Sequence, residues 1–351
     1  MVDLALSMSS FLALRYTERP DVDFTEKYRY RHPEMPSEEK RVLVRSAEEI
    51  DDAIRKQIEE LKGTGKKLGI LLSGGMDSGI LASYLPGIDA YTFRFLGGEY
   101  QKEELKRAES LAKINRMNLH YVDIDWDSTV SALPTVMRSK GGPVHSIEPQ
   151  IYIAARQAQK DGVENMIIGD ASDYVFGGMD QLLSKDWTYE EFLRRYIYVD
   201  PFDVLREPVS VRYVFEKYRK DESGIDFVRI LETLAAQESY GSYENAFHAA
   251  ELSYSDPYEI LKMAEPLDLD RVRNGEAKYL IRELFNLRDP GLPVPEKLPM
   301  PRPVDQYFAD WKGPERPECL DNIDISGYSG NQTWLLWCLE QFLDMAEEGR
   351  R

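Results

Sequence analysis

The residues of this chain best equipped for chemistry are Ser73-Gly74-Gly75-Met76-Asp77-Ser78, which follow an apolar run over 68–72. Adjacent glycines strip the side chains from a tight turn and let the main chain approach a ligand closely. Backbone N–H groups at such a turn, opening onto a helix N-terminus, can cradle an anion. Ser73 and Ser78 add hydroxyl donors, and Asp77 can hold a divalent cation beside bound phosphates. There is no Gly-Lys-Ser/Thr, so this is not a Walker A loop. A second acid-bearing stretch runs from Gly169 through Asp170, Ala171, Ser172 and Asp173 to Gly177-Gly178. If the fold carried Asp173 to Asp77, the two carboxylates could grip one Mg²⁺. Read alone, Asp170 is more simply a turn cap and Asp173 a solvated acid at a helix start. Lys278 lies off the apolar stripe of its segment and, read alone, is a solvent-facing helix lysine.

The elements that must position these residues can be read from periodicity. Ser46 and Glu49 form a capping-box pattern, and Ile50, Ala53, Ile54, Ile58 and Leu61 recur at helical spacing over 47–62. Strand-like runs follow at 68–72, 90–95, 119–124 and 165–169, separated by helical stretches at 77–85, 101–115 and 149–161. Short apolar strands alternating with amphipathic helices indicate a doubly wound parallel α/β sheet with crossover helices. Right-handed crossovers put every strand's C-terminal end on one edge, where open α/β sheets bind ligands. Ser73, Phe95, Asp125 and Asp170 all follow strand ends and are expected to meet there.

Outside that core, residues 1–66 read as an irregular arm ending in the amphipathic helix, 67–185 as the nucleotide-binding unit, and 186–351 as a helical C-terminal half. Beyond 180 no strand is expected, and helices are expected at 276–287 and 331–347. The prolines between 290 and 303 mark an extended segment.

Composition narrows the function. The chain has 351 residues and a net charge of −18, which argues against nucleic acid or an anionic membrane as partner but not against ATP, whose phosphates Mg²⁺ and a local cation can neutralise. No stretch approaches the length of a membrane span, and no signal-peptide pattern opens the sequence. Cys319 and Cys338 lie far from any Cys-x-x-Cys spacing and read as buried thiols of a reduced compartment, so a cytoplasmic location is expected. A homo-oligomer is compatible with the sequence but not specified by it.

The first loop resembles the pyrophosphate-binding loop of the ATP pyrophosphatases (PP-loop, Rossmann-like enzymes). Three ordered blocks make the resemblance more specific: the Ser-Gly-Gly-x-Asp-Ser loop; Gly169, Ser172, Asp173, Phe176, Gly177 and Gly178, with the approach Pro149, Tyr152, Gln159, Gly162-Val163; and Asn274-Gly275-Glu276-Ala277-Lys278-Tyr279-Leu280-Ile281-Arg282. Over about 60 to 310 the chain resembles the synthetase domain of the asparagine synthetase family, which also includes β-lactam synthetases and lasso-peptide cyclases. The resemblance implies that Ser73, Gly74, Gly75, Asp77 and Ser78 hold the pyrophosphate part of ATP, with Gly169 at the facing loop. It implies that Asp77 and Asp173 bind Mg²⁺, that Lys278 contacts pyrophosphate and the reacting centre, and that Leu72 and Phe93 to Phe95 line an adenine pocket. Two positions depart from the family pattern. Asp170 stands where a glutamate helps deprotonate the attacking nitrogen, and Tyr174 replaces the second acid of an Asp-Glu pair.

The chemistry so implied is ATP-dependent amide formation. A carboxylate substrate becomes an acyl-adenylate with release of pyrophosphate; ammonia or an amine then displaces AMP, with Asp170 as base and Lys278 near the oxyanion. The glutamine-dependent members carry a nucleophilic cysteine after Met1. Here residue 2 is Val2 and no cysteine precedes the loop, so the chain is not expected to hydrolyse glutamine itself; a separate glutaminase could supply ammonia. Loops at 96–104 and 141–148, with Gly97-Gly98 and Gly141-Gly142, could close over the substrates. Two alternatives stay open: a sulfur-transfer or tRNA-modifying enzyme with the same loop, and a non-catalytic nucleotide-binding scaffold.

Overall fold

The computed structural model describes residues 1–97, 101–296 and 304–348. Seven strands occur among them: β1 Val42–Val44, β2 Leu68–Leu71, β3 Asp89–Phe95, β4 Asn118–Ile124, β5 Asn165–Ile167, β6 Ser253–Ser255 and β7 Leu261–Met263. β2 to β6 form one five-stranded sheet in the order β4-β3-β2-β5-β6. Every pairing in it is parallel. The chain winds outward from β2 through β3 to β4, then returns to place β5 on the other side of β2. The reversal makes β2 and β5 the switch point, and a crevice opens beyond their carboxyl ends.

The period-two alternation of the strands divides the side chains between two layers. Ile70, Leu72, Ala90 and Ile167 face one core. It is filled from the helices Ala47–Gly63, Met76–Ser83, Lys102–Ile114 and Tyr279–Arg288. Tyr91, Val122, Met166 and Ile168 face the other, against the helices Glu148–Lys160 and Ala236–Ala249. Coverage on both faces is why β2 reads as a continuous apolar run and not as an alternating one. Each fully buried Leu, Ile or Phe in these layers contributes roughly 1.5–3 kcal/mol.

The structure departs from the sequence reading in five places. The arm is not irregular at its start: Leu4–Leu14 is a helix, with Asp3 accepting from the Leu6 amide at 3.0 Å. It is buried nearly all round, against the C-terminal helix Gly330–Glu347 among other elements, so it shows no amphipathic period. The helix Trp126–Lys140 was also not foreseen; Pro134 lies inside it. Strands do occur beyond 180: β6 completes the main sheet and β7 pairs with β1. At three residues each, they are too short to print a pattern. The segment 141–148 is buried throughout, with the Val144 carbonyl accepting from the Trp334 indole at 2.8 Å, and so cannot serve as a lid. Finally, the helix expected from 276 begins only at Tyr279. Part of the 96–104 loop and of the 290–303 segment lies outside the described residues.

Candidate active site

The turn after β2 is held open by packing. Gly74 has φ +78°, and a Cβ there would lie 2.6 Å from the Glu104 carbonyl oxygen, because Lys102–Ile114 packs directly on the turn. Only glycine meets both demands. The serine hydroxyls are partly used in bracing the turn. Ser78 Oγ accepts from the Ser73 amide at 3.2 Å and shares a 3.0 Å hydrogen bond with Ser73 Oγ, which accepts from the Gly75 amide at 3.2 Å. The following helix has Gly75 as N-cap and no side-chain cap, and Gly75, Met76 and Asp77 line a cleft of about 380 Å³. First-turn amides without a cap are ready donors for an anion.

The loop after β5 forms the facing wall. Gly169 lets it lie against the first helix: a Cβ there would be 3.0 Å from Leu81 and 3.2 Å from the Tyr258 ring. Ser172–Val175 forms one helical turn that presents Asp173. Across the cleft, Lys278 is the N-cap of Tyr279–Arg288, with φ +57°. That left-handed backbone is unfavourable for a lysine and turns its side chain inward, where only 6% of it is exposed. Lys278 Nζ donates to Asp77 Oδ1 at 2.6 Å and to Asp173 Oδ1 at 2.9 Å. The acids of two distant loops therefore meet on one ammonium. Burial by itself would lower the lysine, but Asp77 and Asp173 outweigh it and hold the ammonium above the usual range. Ser172 Oγ also donates to Asp77 Oδ1.

Asp170 lines the same cleft and accepts from Ser239 Oγ at 2.5 Å. Ser239 comes from Ala236–Ala249, just after a π-helical turn over Leu231–Ala235, a feature frequent at functional sites. Desolvation pushes the Asp170 carboxyl well above the usual range. The Ser239 hydrogen bond opposes the shift, and the charges of Asp256, Asp173 and Glu238 add to it. Tyr174 is likewise raised, first by desolvation and then by Asp170 and Glu238, so a neutral phenol stands beside Asp170.

All residues singled out as catalytic, phosphate-binding or metal-binding line this cleft, as do Leu72 and Phe93. Phe95 instead packs in the core below. Asp125 is also absent from the cleft: its side chain caps Trp126–Lys140 by accepting from the Ser128 amide at 2.8 Å. Sequence reasoning missed a brace behind the site. The buried Asp256 Oδ2 accepts from the Asp170 and Ala171 amides, both at 2.8 Å, and Tyr258 donates to the Asp77 carbonyl at 3.1 Å. Asp256-Pro257-Tyr258 thus ties both acid loops together. Its Asp-Pro turn signal was visible, but its place at the end of β6 was not. Arg107, Arg282 and Glu104 also line the cleft and were not foreseen as site residues; burial pushes Glu104 up to about 7.

Among the described residues no group of three or more His, Cys, Asp or Glu is arranged to hold a metal ion. Two carboxylates at the edge of an anion cradle nevertheless fit Mg²⁺, which characteristically takes one or two protein carboxylates and fills its shell with phosphates and water.

The chain is an α/β protein whose open parallel sheet carries a glycine turn and paired acids at its switch point. Residues 47–257 match the family described as asparagine synthase, and the chain belongs to that family. Over 138 residues it is 28% identical to a protein named as a candidate asparagine synthetase (glutamine-hydrolyzing) 1 of Methanocaldococcus jannaschii, an alignment taking in 37% of this chain and 25% of that relative. The chain thus aligns with about a quarter of the relative's length. Among solved structures, an NMN synthetase from Francisella tularensis aligns over 73% of this chain and 98% of its own, at TM-score 0.29 and 11% identity.

Proposed function

We propose that this protein is an AMP-forming carbon–nitrogen ligase. It would activate a small carboxylate with ATP and pass the acyl group to ammonia or an amine. The observation that carries this reading is the meeting of Asp77 and Asp173 on Lys278 beside the glycine turn. Residues 67–185 would supply the nucleotide side and 186–351 much of the substrate side.

In this reading the turn amides and the first turn of Met76–Ser83 hold the β- and γ-phosphates. Leu72 and Phe93 flank the adenine. Asp77 and Asp173 would hold Mg²⁺, which supplies charge neutralisation on the leaving pyrophosphate. A substrate carboxylate oxygen attacks the α-phosphorus and the bond to the β-phosphate oxygen breaks, giving acyl-adenylate and pyrophosphate. The nitrogen lone pair then attacks the acyl carbon, Asp170 takes a proton from the nitrogen, and the bond to AMP breaks. Lys278 places its charge near the developing negative charge in both steps. Burial raises the Asp170 carboxyl above the ordinary range, which makes it a stronger proton acceptor once it is ionised.

The sulfur-transfer alternative needs a reactive thiolate. Burial pushes Cys319 up to about 11 and Cys338 further, so both thiols are held protonated. The same property gives neither cysteine the character of a glutaminase nucleophile.

The test is AMP and pyrophosphate release from ATP and Mg²⁺ with a panel of carboxylates, with and without ammonia. Carboxylate-dependent AMP, followed by amide only when a nitrogen donor is added, is the expected result. A panel broad in amino acids, sugar acids and peptides that never yields AMP would return the chain to a nucleotide-binding scaffold.

A further inference from the structure

Lys278 occupies the place that the proposed metal needs. Its ammonium contacts the Oδ1 atoms of both Asp77 and Asp173, so these oxygens are no farther apart than the two bonds laid end to end. Asp77 Oδ1 also takes the Ser172 hydroxyl. A divalent ion cannot bind both oxygens while the ammonium stays, because two cations would share one site at contact distance. The ammonium in turn is buried and can leave only for another anion.

We propose that Lys278 is the resident counter-ion of the Asp77–Asp173 cation site. Arriving phosphates draw it away, so divalent metal enters with the nucleotide and not ahead of it. The backbone around Lys278 is fixed: its carbonyl accepts from the Arg282 amide at 2.9 Å, and Arg282 Nε donates to the Ala277 carbonyl at 2.8 Å. Only the flexible stem has to move, from carboxylates to phosphate oxygens across the cleft. The left-handed φ of +57° holds the base of that stem turned into the cleft. One lysine thus neutralises the acids in the free protein and the pyrophosphate in the loaded one. The metal-free acids are spared mutual repulsion, and metal without nucleotide binds only weakly.

This inference rests on the nucleotide reading above, and the test separates the two. Mn²⁺ serves as the probe, followed by loss of its free-ion spin-resonance signal on titration into the full chain. Wild type without nucleotide is expected to take up Mn²⁺ weakly. Lys278→Gln is expected to bind it about tenfold or more tightly under the same conditions, and Asp77→Asn in that background should remove the gain. Lys278→Met repeats the measurement in case the glutamine variant fails to fold. Tight Mn²⁺ binding to nucleotide-free wild type, or no gain in a folded Lys278 variant, would overturn the proposal. A non-hydrolysable ATP analogue forms the second arm. If it binds with Mn²⁺ while the two proteins show equal affinity for Mn²⁺ alone, only the counter-ion proposal is lost. If neither protein holds the analogue, the nucleotide reading falls with it.

Discussion

Asp77 and Asp173 carry the same formal charge and share one ammonium, yet removing either leaves Lys278 buried with a single partner. Asp77→Ala and Asp173→Ala are each expected to abolish AMP formation while far-ultraviolet circular dichroism stays that of the wild type; retained pyrophosphate release in either would count against the metal assignment. Asp170 belongs to the second step. Asp170→Asn is expected to keep acyl-adenylate formation, measured by pyrophosphate exchange, while amide formation falls at least about a hundredfold, the scale of lost general-base catalysis. Because desolvation raises Asp170, the wild-type amide step should increase with pH through that raised value, and the variant should lack this limb. Equal loss of both steps would remove Asp170 from the nitrogen side.

At the scale of elements, the site depends on how closely two helices approach the β2 turn. Lys102–Ile114 sits against Gly74, and Tyr279–Arg288 starts from the strained Lys278. Gly74→Ala puts a methyl against the Glu104 carbonyl in a left-handed backbone, and is expected to cost about 1–3 kcal/mol in urea unfolding together with nucleotide affinity. An alanine variant that binds ATP as wild type does would show that the turn relaxes freely. The helix boundary at Lys278 also explains a difference from the sequence reading. A helix begun at 276 would set this lysine on a solvent-facing surface, whereas Gly275, with φ +93°, breaks the chain and directs it inward.

For the whole molecule, several buried carboxyls are held up. Asp256 is raised to about 7 by desolvation, against the three backbone N–H bonds it accepts. A carboxyl raised on folding keeps a proton that the unfolded chain releases, so its contribution to stability declines as pH rises from about 4 to about 7. The stability of wild type relative to Asp256→Asn, from urea midpoints, is therefore expected to fall across that window. A difference independent of pH would show that Asp256 ionises in the folded chain as it does in the unfolded one. Among the described residues no helix is long and apolar enough to cross a membrane. The N-terminal helix is instead consumed in the core, where Phe11 and Leu12 are fully buried.

The sequence by itself determined the local chemistry and much of the sheet. Glycines at 74 and 75, apolar runs at β2 to β5 and amphipathic helices between them follow from near-neighbour sterics and periodicity, which act over a few residues. The tertiary structure alone decided which acids face each other, that Lys278 lies inside, that Asp125 is a cap and that Asp256 and Tyr258 brace both loops. β6, Leu4–Leu14 and the buried 141–148 segment were likewise hidden from the sequence. Each of these is set by contacts between residues far apart in the chain, whose geometry has no local period to betray it.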